Sequence, residues 1–321
     1  MEKALKIWIK VIIIIIAILV LFLLVSFIRH KICSSSEKGL LTPLGELVEV
    51  DGHNMNIYVE GEGKHTFVFL SGGGTCSPIL DFKSLYSLLS DDYRIVVVEK
   101  FGYGFSDIVD SDRDIDTVLR QTRAALDKAG IYGPYILCPH SMSGIEALYW
   151  AQQFPEEVEA IIGLDMAVPK YYDEMKISIP AMMLGHYGAA LGVTRWIPDI
   201  SESDAIKFGT LTDNEKEIYR AVFYNRTATI TMINEAKEIK HSADVVEANG
   251  VPQVPILLFI SDGSGGTGFD EETWRRIPEE YISKSDNAKY IELNCPHYVH
   301  DYKYVEISDA IKNFISNTFG F

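Results

Sequence analysis

The chain has 321 residues, 47% of them hydrophobic and 23% charged, with a formal net charge of −16. That length can build one large α/β domain or two small ones. Residues 1–31 set five cations against Glu2, a balance of +4, so the remainder carries −20; such an acidic body argues against a nucleic-acid partner, which calls for a basic patch. The four cysteines (Cys33, Cys76, Cys138 and Cys295) are too few for a disulfide scaffold and lack C-x-x-C spacing. They read as three small buried residues and one juxtamembrane thiol.

The first element is apolar. MEKALKIWIK precedes Val11–Ile28, which has no charged residue. As a helix those residues span about 27 Å, enough to cross a bilayer core with little tilt. A cleaved signal peptide would have a shorter apolar region followed by a small-x-small site. Here Phe27-Ile28-Arg29-His30 stands instead. Residues 1–31 are therefore expected to be an uncleaved, single-pass membrane anchor with a short cytoplasmic tail and an extracytoplasmic body. Residues 32–45, which include the polar run Ser34–Gly39, are expected to be a linker, and residues 46–321 the folded domain.

Leu47–Val50 and Met55–Val59 flank Asp51-Gly52-His53-Asn54, a hairpin signature. Thr66–Leu70 is a short apolar run without alternation, as for a strand buried on both faces, and it ends in Ser71-Gly72-Gly73-Gly74. Helix and strand patterns then alternate: Phe82–Leu89 helix, Arg94–Val98 strand, Asp116–Ala129 helix, Tyr135–Cys138 strand, Ser143–Phe154 helix, Val158–Leu164 strand. That rhythm predicts an α/β fold with a mostly parallel sheet and helices on both faces. From about 169 to 250 the pattern is helical only, with stretches at Ala181–Leu191, Asp213–Phe223 and Thr229–Lys240. This insertion reads as a helical cap over the sheet edge. The strand 255–260, a helix from Glu271, the strand Ala288–Leu293 and a C-terminal helix Val305–Phe314 complete the pattern.

In an open parallel sheet, ligands bind at the carboxyl ends of the strands. Gly73, Ser141, Asp165, Asp262 and His297 all fall at such ends. Ser141 follows an apolar run in ILCPHSMSG and precedes a helix, where a strained strand-to-helix turn exposes a nucleophilic Oγ; a helix cap is the other use of a serine there. His297 lies in the loop after the last strand and can act as general base near neutral pH. His300 competes for that role. The acid that orients the imidazole is either Asp165 or Asp262. Backbone N–H groups of Gly73 and Met142 can hold a tetrahedral oxyanion, because glycine leaves the approach uncrowded.

Taken together these residues resemble the α/β-hydrolase superfamily, from about Leu47 to the C-terminus. PHSMSG is similar to that family's GHSMGG elbow, with Pro139 and Ser143 in place of glycines. FLSGGG and FGYGFSD (Phe101–Asp107) follow the strands where the family has comparable loops, and CPHYVHD resembles its GHxxH segment. The resemblance assigns Ser141 as nucleophile and favours His297 over His300. It also favours Asp165 over Asp262, since Ser264 occupies the place of the family's commonest acid. Haloalkane dehalogenase-like members share the Asp165 register but use an Asp nucleophile, so their chemistry does not fit Ser141.

The resemblance implies a serine hydrolase that cleaves an ester or amide through an acyl-enzyme, an esterase or lipase most readily, with no metal or organic cofactor. Apolar cap residues (Met182, Met183, Leu184, Trp196, Phe223, Tyr224) would suit a lipophilic acyl group. Two alternatives stay open. A proline-type aminopeptidase would bind a free amine through cap acids such as Asp199, Glu202, Asp213, Glu215 or Glu235. A non-catalytic ligand-binding member would keep the fold without turnover.

Overall fold

Residues 1–320 are described by a computed structural model. The first helix, α1 (Glu2–Ser36), is long and apolar enough to cross a membrane. It does not stop at the expected linker. The helix runs through Ser36 and a 3-10 turn continues to Leu40. Its end is fastened to the cap, where the Arg195 guanidinium reaches Glu37 at 2.6 Å and His30 Nδ1 at 3.0 Å. A charged partner, invisible to local sequence, orders the serine-rich stretch.

The hairpin forms as β1 (Glu46–Val50) and β2 (His53–Glu60), joined by Asp51-Gly52 with φ of 53° and 79°. Two positive-φ residues make the type I′ turn that matches strand twist. Then come β3 (Thr66–Leu70), two short turns α2 (Pro78–Asp81) and α3 (Lys83–Tyr86), and β4 (Arg94–Glu99). The expected single helix at 82–89 therefore starts earlier, with Pro78 at the first helical position where its missing N–H costs nothing, and is interrupted at Phe82.

Helix α4 (Ile115–Lys128) is capped by Asp114, whose carboxylate accepts from Thr117 N–H at 2.9 Å. It buries Val118, Leu119, Ala125 and Leu126 on one stripe. Next are β5 (Tyr135–Pro139), α5 (Ser143–Gln153) and β6 (Val158–Leu164).

No strand occurs between Leu164 and Ile256 among the described residues. That stretch holds α6 (Tyr171–Glu174), α7 (Ile179–Ala190), α8 (Asp204–Lys207), α9 (Asp213–Arg226) and α10 (Ile230–Asn249). Helix α10 outruns its expected end at Lys240, because Ile239, Ala243 and Val246 keep helical spacing and bury against the core. The chain returns through β7 (Ile256–Ile260), α11 (Glu271–Ile282), β8 (Ala288–Glu292), α12 (Val299–Tyr302) and α13 (Tyr304–Phe319).

The eight strands form one sheet in the order β1-β2-β4-β3-β5-β6-β7-β8, antiparallel only where β2 meets β1 and β4. The inner strands bury alternate residues in opposite layers. Val68 and Leu70 join Val96, Val98, Leu137 and Leu258 on one face. Phe67 and Phe69 join Ile95, Val97, Ile136 and Phe259 on the other. Each such side chain contributes about 1.5–3 kcal/mol by leaving water, which fixes register: a slip of one residue would exchange the layers. After β3 the chain goes to β4 on one side and then crosses to β5 on the other. The carboxyl ends of β3 and β5 are thus a topological switch point, where open sheets place their ligands.

Candidate active site

Ser141 follows β5 at that switch point. Its φ is 53°, a left-handed conformation costing a non-glycine residue on the order of 1–3 kcal/mol. It caps no helix: the residue before α5 is Met142, which makes no side-chain cap. The helix-cap explanation of this serine therefore falls away. The turn is tied down on both sides. Ala167 N–H donates to the Ser141 carbonyl at 2.7 Å, and Ser143 Oγ donates to the carbonyls of Leu70 (2.6 Å) and His140 (2.9 Å). The hydroxyl at 143 is thus a tie between β3 and the elbow.

Close approach falls instead on two glycines. A Cβ on Gly144 would lie 2.2 Å from the Ala167 carbonyl oxygen, and one on Gly72 would lie 2.7 Å from Ser141 Cβ. Pro139 occupies the last position of β5 opposite Leu70, and the ladder is closed one residue later by His140 N–H to Leu70 O at 3.0 Å.

Asp165, after β6, meets His297: Nδ1 lies 2.5 Å from Oδ2. Three donors hold the carboxylate in place, namely Ser261 N–H (2.7 Å), Ser261 Oγ–H (2.6 Å) and Trp274 Nε1–H (2.9 Å). Asp262 does not reach the imidazole; its carboxylate accepts from Ser264 N–H at 2.9 Å and shapes its own loop. His300 is buried elsewhere, with Nε2 3.0 Å from Asp81 Oδ2. The structure thus separates the two histidines and the two aspartates that sequence left competing. With Nδ1–H given to Asp165, Nε2 of His297 keeps the free lone pair.

Ser141, His297, Gly73, Met142 and Trp274 line one cavity of about 820 Å³. The Ser141 hydroxyl has no hydrogen-bond partner among the described residues, as is common in ligand-free sites, where such bonds tighten only around substrate. Neither Gly73 N–H nor Met142 N–H has a protein acceptor among the described residues, so both remain available to a ligand oxygen.

The cap closes the cavity with Ala181 and Met182 of α7 and with Met232 and Ile239 of α10. Of the apolar cap residues expected to line it, only Met182 does. Leu184 and Trp196 are exposed, and Phe223 borders a smaller neighbouring cavity. The five cap acids do not line it either. Glu235 is buried against Lys100 Nζ at 2.5 Å and Tyr103 OH at 2.6 Å, Glu202 pairs with Arg220, and Glu215 pairs with Lys83.

Sequence reasoning missed Ser261, Trp274 and His140. The imidazole of His140 lies against those of His297 and His300, with centroids at 4.6 and 4.8 Å, and its Nε2–H donates to the His297 carbonyl at 3.2 Å. Burial, with the charges His297 and His300 can carry, holds its pKa well below the ordinary histidine value. His140 is thus a neutral strut under the loop that carries His297.

Comparison with known proteins agrees with this architecture. A family model for the alpha/beta hydrolase fold matches residues 65–184. The Bacillus subtilis (strain 168) protein YbdG is 38% identical over 302 residues, covering 92% of this chain and 93% of its own. Among solved structures, an epoxide hydrolase described as putative, from Pseudomonas aeruginosa, superposes with a TM-score of 0.64 at 15% identity, covering 85% of this chain and 96% of its own. A haloalkane dehalogenase described as a putative ancestral form gives 0.63 at 18% identity, covering 86% and 100%. At these identities the solved structures speak for the fold alone. With an elbow serine at a switch point, a relative matched along nearly its whole length and a family model over the four central strands β3 to β6, this chain belongs to the α/β-hydrolase superfamily.

Proposed function

We propose that this protein is a membrane-anchored serine hydrolase that cleaves a carboxylic ester through an acyl-enzyme. The observation that carries the reading is the 2.5 Å contact of His297 Nδ1 with Asp165, on the cavity that Ser141 shares. Ser141 Oγ attacks the carbonyl carbon while His297 Nε2 takes its proton. Asp165 fixes the imidazole tautomer and stabilises the imidazolium that forms. The oxyanion is held by Gly73 and Met142 N–H groups. His297 then returns the proton to the leaving alcohol, and water repeats the cycle on the acyl-enzyme.

An ester is favoured over a free-amine peptide because none of Asp199, Glu202, Asp213, Glu215 and Glu235 lines the cavity, where Met182, Met232 and Ile239 form an apolar wall beside Glu174 and Lys176. The α1 helix supplies the anchor.

A fluorophosphonate probe applied to the full chain tests the reading. Labelling of wild type, absent in Ser141→Ala, is the expected result. A folded wild type that stays unlabelled and turns over no p-nitrophenyl ester would refute it and leave the ligand-binding alternative.

A further inference from the structure

The cap contains a helix that does not fit water. Helix α7 reads IPAMMLGHYGAA, with no charged residue, and only Ala189 of its twelve residues is buried. A cap helix facing solvent carries charges on its outer side, as α9 does with the sequence DNEKEIYRAVFYNR. On α7 the outer side instead holds Leu184 and Tyr187, 75% and 57% exposed. Trp196 and Ile197 follow in the next turn, 46% and 48% exposed. A patch of this kind marks a contact with something other than water.

The neighbour is set by α1. Trp196 Nε1–H donates to Ser26 Oγ at 3.1 Å, its ring lies 5.7 Å from that of Phe22, and the Arg29 guanidinium sits 4.5 Å over its face. Phe22 and Ser26 belong to the uncharged stretch Val11–Ile28. Trp196 therefore lies where that stretch ends, at the depth that interfacial tryptophans favour. The joint is tight: a Cβ on Gly192, whose φ is 73°, would fall 2.3 Å from His30 Cβ. Arg195 locks it through Glu37 and His30. With α1 upright in a bilayer, the turn that carries Trp196 is held at the bilayer surface, and α7 leads directly into that turn.

From these contacts we infer that the outer face of α7, with Trp196 and Ile197, is a second membrane contact, seated in the leaflet surface from which α1 emerges. It brings the mouth of the Ser141 cavity to the lipid. Ala181, which lines the cavity, lies one turn before Leu184 on the same helix, so an acyl chain leaving the bilayer along α7 reaches the cavity without crossing water. The substrate class is then a long-chain acyl ester dissolved in the membrane. The membrane contact rests on α1 as the anchor, and the substrate class rests in addition on Ser141 as the nucleophile.

The test uses the full chain in phosphatidylcholine nanodiscs. In a Cys33→Ser background, where the three remaining cysteines are buried, a fluorophore is attached at Leu184→Cys. A reference is attached at Tyr132→Cys, an exposed position just before β5 at the opposite end of the sheet. Lipids bearing a nitroxide on the acyl chain are expected to quench the first probe and spare the second. Equal quenching at the two sites would overturn the membrane contact.

In parallel, Leu184→Asp/Tyr187→Asp is expected to lower kcat/KM on a bilayer-borne monoacylglycerol by about tenfold or more, following the lost apolar contact. Its turnover of p-nitrophenyl acetate should change by less than about twofold. Equal losses on both esters would overturn lipid delivery. A quenched Leu184 probe on a chain that hydrolyses neither ester would uphold the contact and sink the hydrolase. An unquenched probe on a chain that turns over the soluble ester would do the reverse.

Discussion

The Asp165 carboxylate is held by three protein donors besides the imidazole, and every one of these partners lies at least 96 positions away. Replacing it by Asn would present an N–H where His297 needs an acceptor and impose the wrong tautomer. Asp165→Asn is therefore expected to lower kcat on p-nitrophenyl acetate by on the order of 10⁴, the scale of the equivalent change in a serine-protease triad. Asp262→Asn should stay within about tenfold, since it disturbs only a loop. Equal effects would refute the assignment.

His140 gives a different residue-scale expectation. Its folded-state pKa lies well below 6.5, first because of burial. The rings packed around it are those of Phe82, His297, Tyr298 and His300. Below about pH 6.5 the unfolded chain takes a proton at this position and the folded chain does not. Stability is therefore lost as pH falls from that value, by up to about 1.4 kcal/mol per pH unit. In His140→Gln the drop in Tm between pH 7 and pH 5 should be smaller than in wild type; an unchanged drop would show that His140 is not the buried neutral group.

Strand ends pointed in the sequence to Ser141, Asp165 and His297, and the structure brings these residues together at one candidate site. Ser261, Trp274 and His140 were not legible there, because their roles exist only as hydrogen bonds and ring contacts between distant segments. Trp274 reads locally as one more apolar position on a helix.

At the scale of elements, the joint between cap and sheet contains a buried ion pair beside its apolar contacts. Lys100, at the end of β4, is buried with Glu235 of α10 at 2.5 Å and Glu146 of α5 at 3.5 Å, and Tyr103 also donates to Glu235. Taking one partner from a buried pair leaves the other charge without compensation, at a cost of about 3–5 kcal/mol. Glu235→Ala should therefore lower Tm clearly, with a larger loss than Glu238→Ala, whose side chain lies outside the buried network. A Tm within a degree of wild type would mean that the network carries little of the cap's attachment. Thr66–Leu70 and Val158–Leu164 coincide with their sequence readings, because burial on both faces writes a largely apolar run, broken in the second only by Glu159, which pairs with His65. The cap was read less well. Its helices pack through single stripes, and the charged run around Lys240 hid the continuation of α10 toward Val246.

For the whole molecule, strand order and the docking of α1 were both beyond local patterns. Alternation predicted a parallel sheet, but only pairing shows β4 and β5 on opposite sides of β3. Likewise no local pattern links Arg195 to Glu37 across 158 residues. That contact makes α1 part of the folded body. Without residues 1–39, Arg195 and Trp196 lose their partners on α1, yet they become open to water, so no charge is left buried and unpaired. The loss should be modest, about 1–2 kcal/mol from one ion pair and one aromatic contact, or a shift in Tm of a few degrees for a domain this size. Ser141 and His297 contact no part of α1, so the truncated chain should still react with a fluorophosphonate at Ser141. Its preference should change: turnover of a soluble ester persists, while turnover of a bilayer-borne ester falls, because α7 no longer has a fixed neighbour to hold it at the lipid. An unchanged Tm together with an unchanged ratio of the two activities would mean that the packing of α1 on the cap orients nothing.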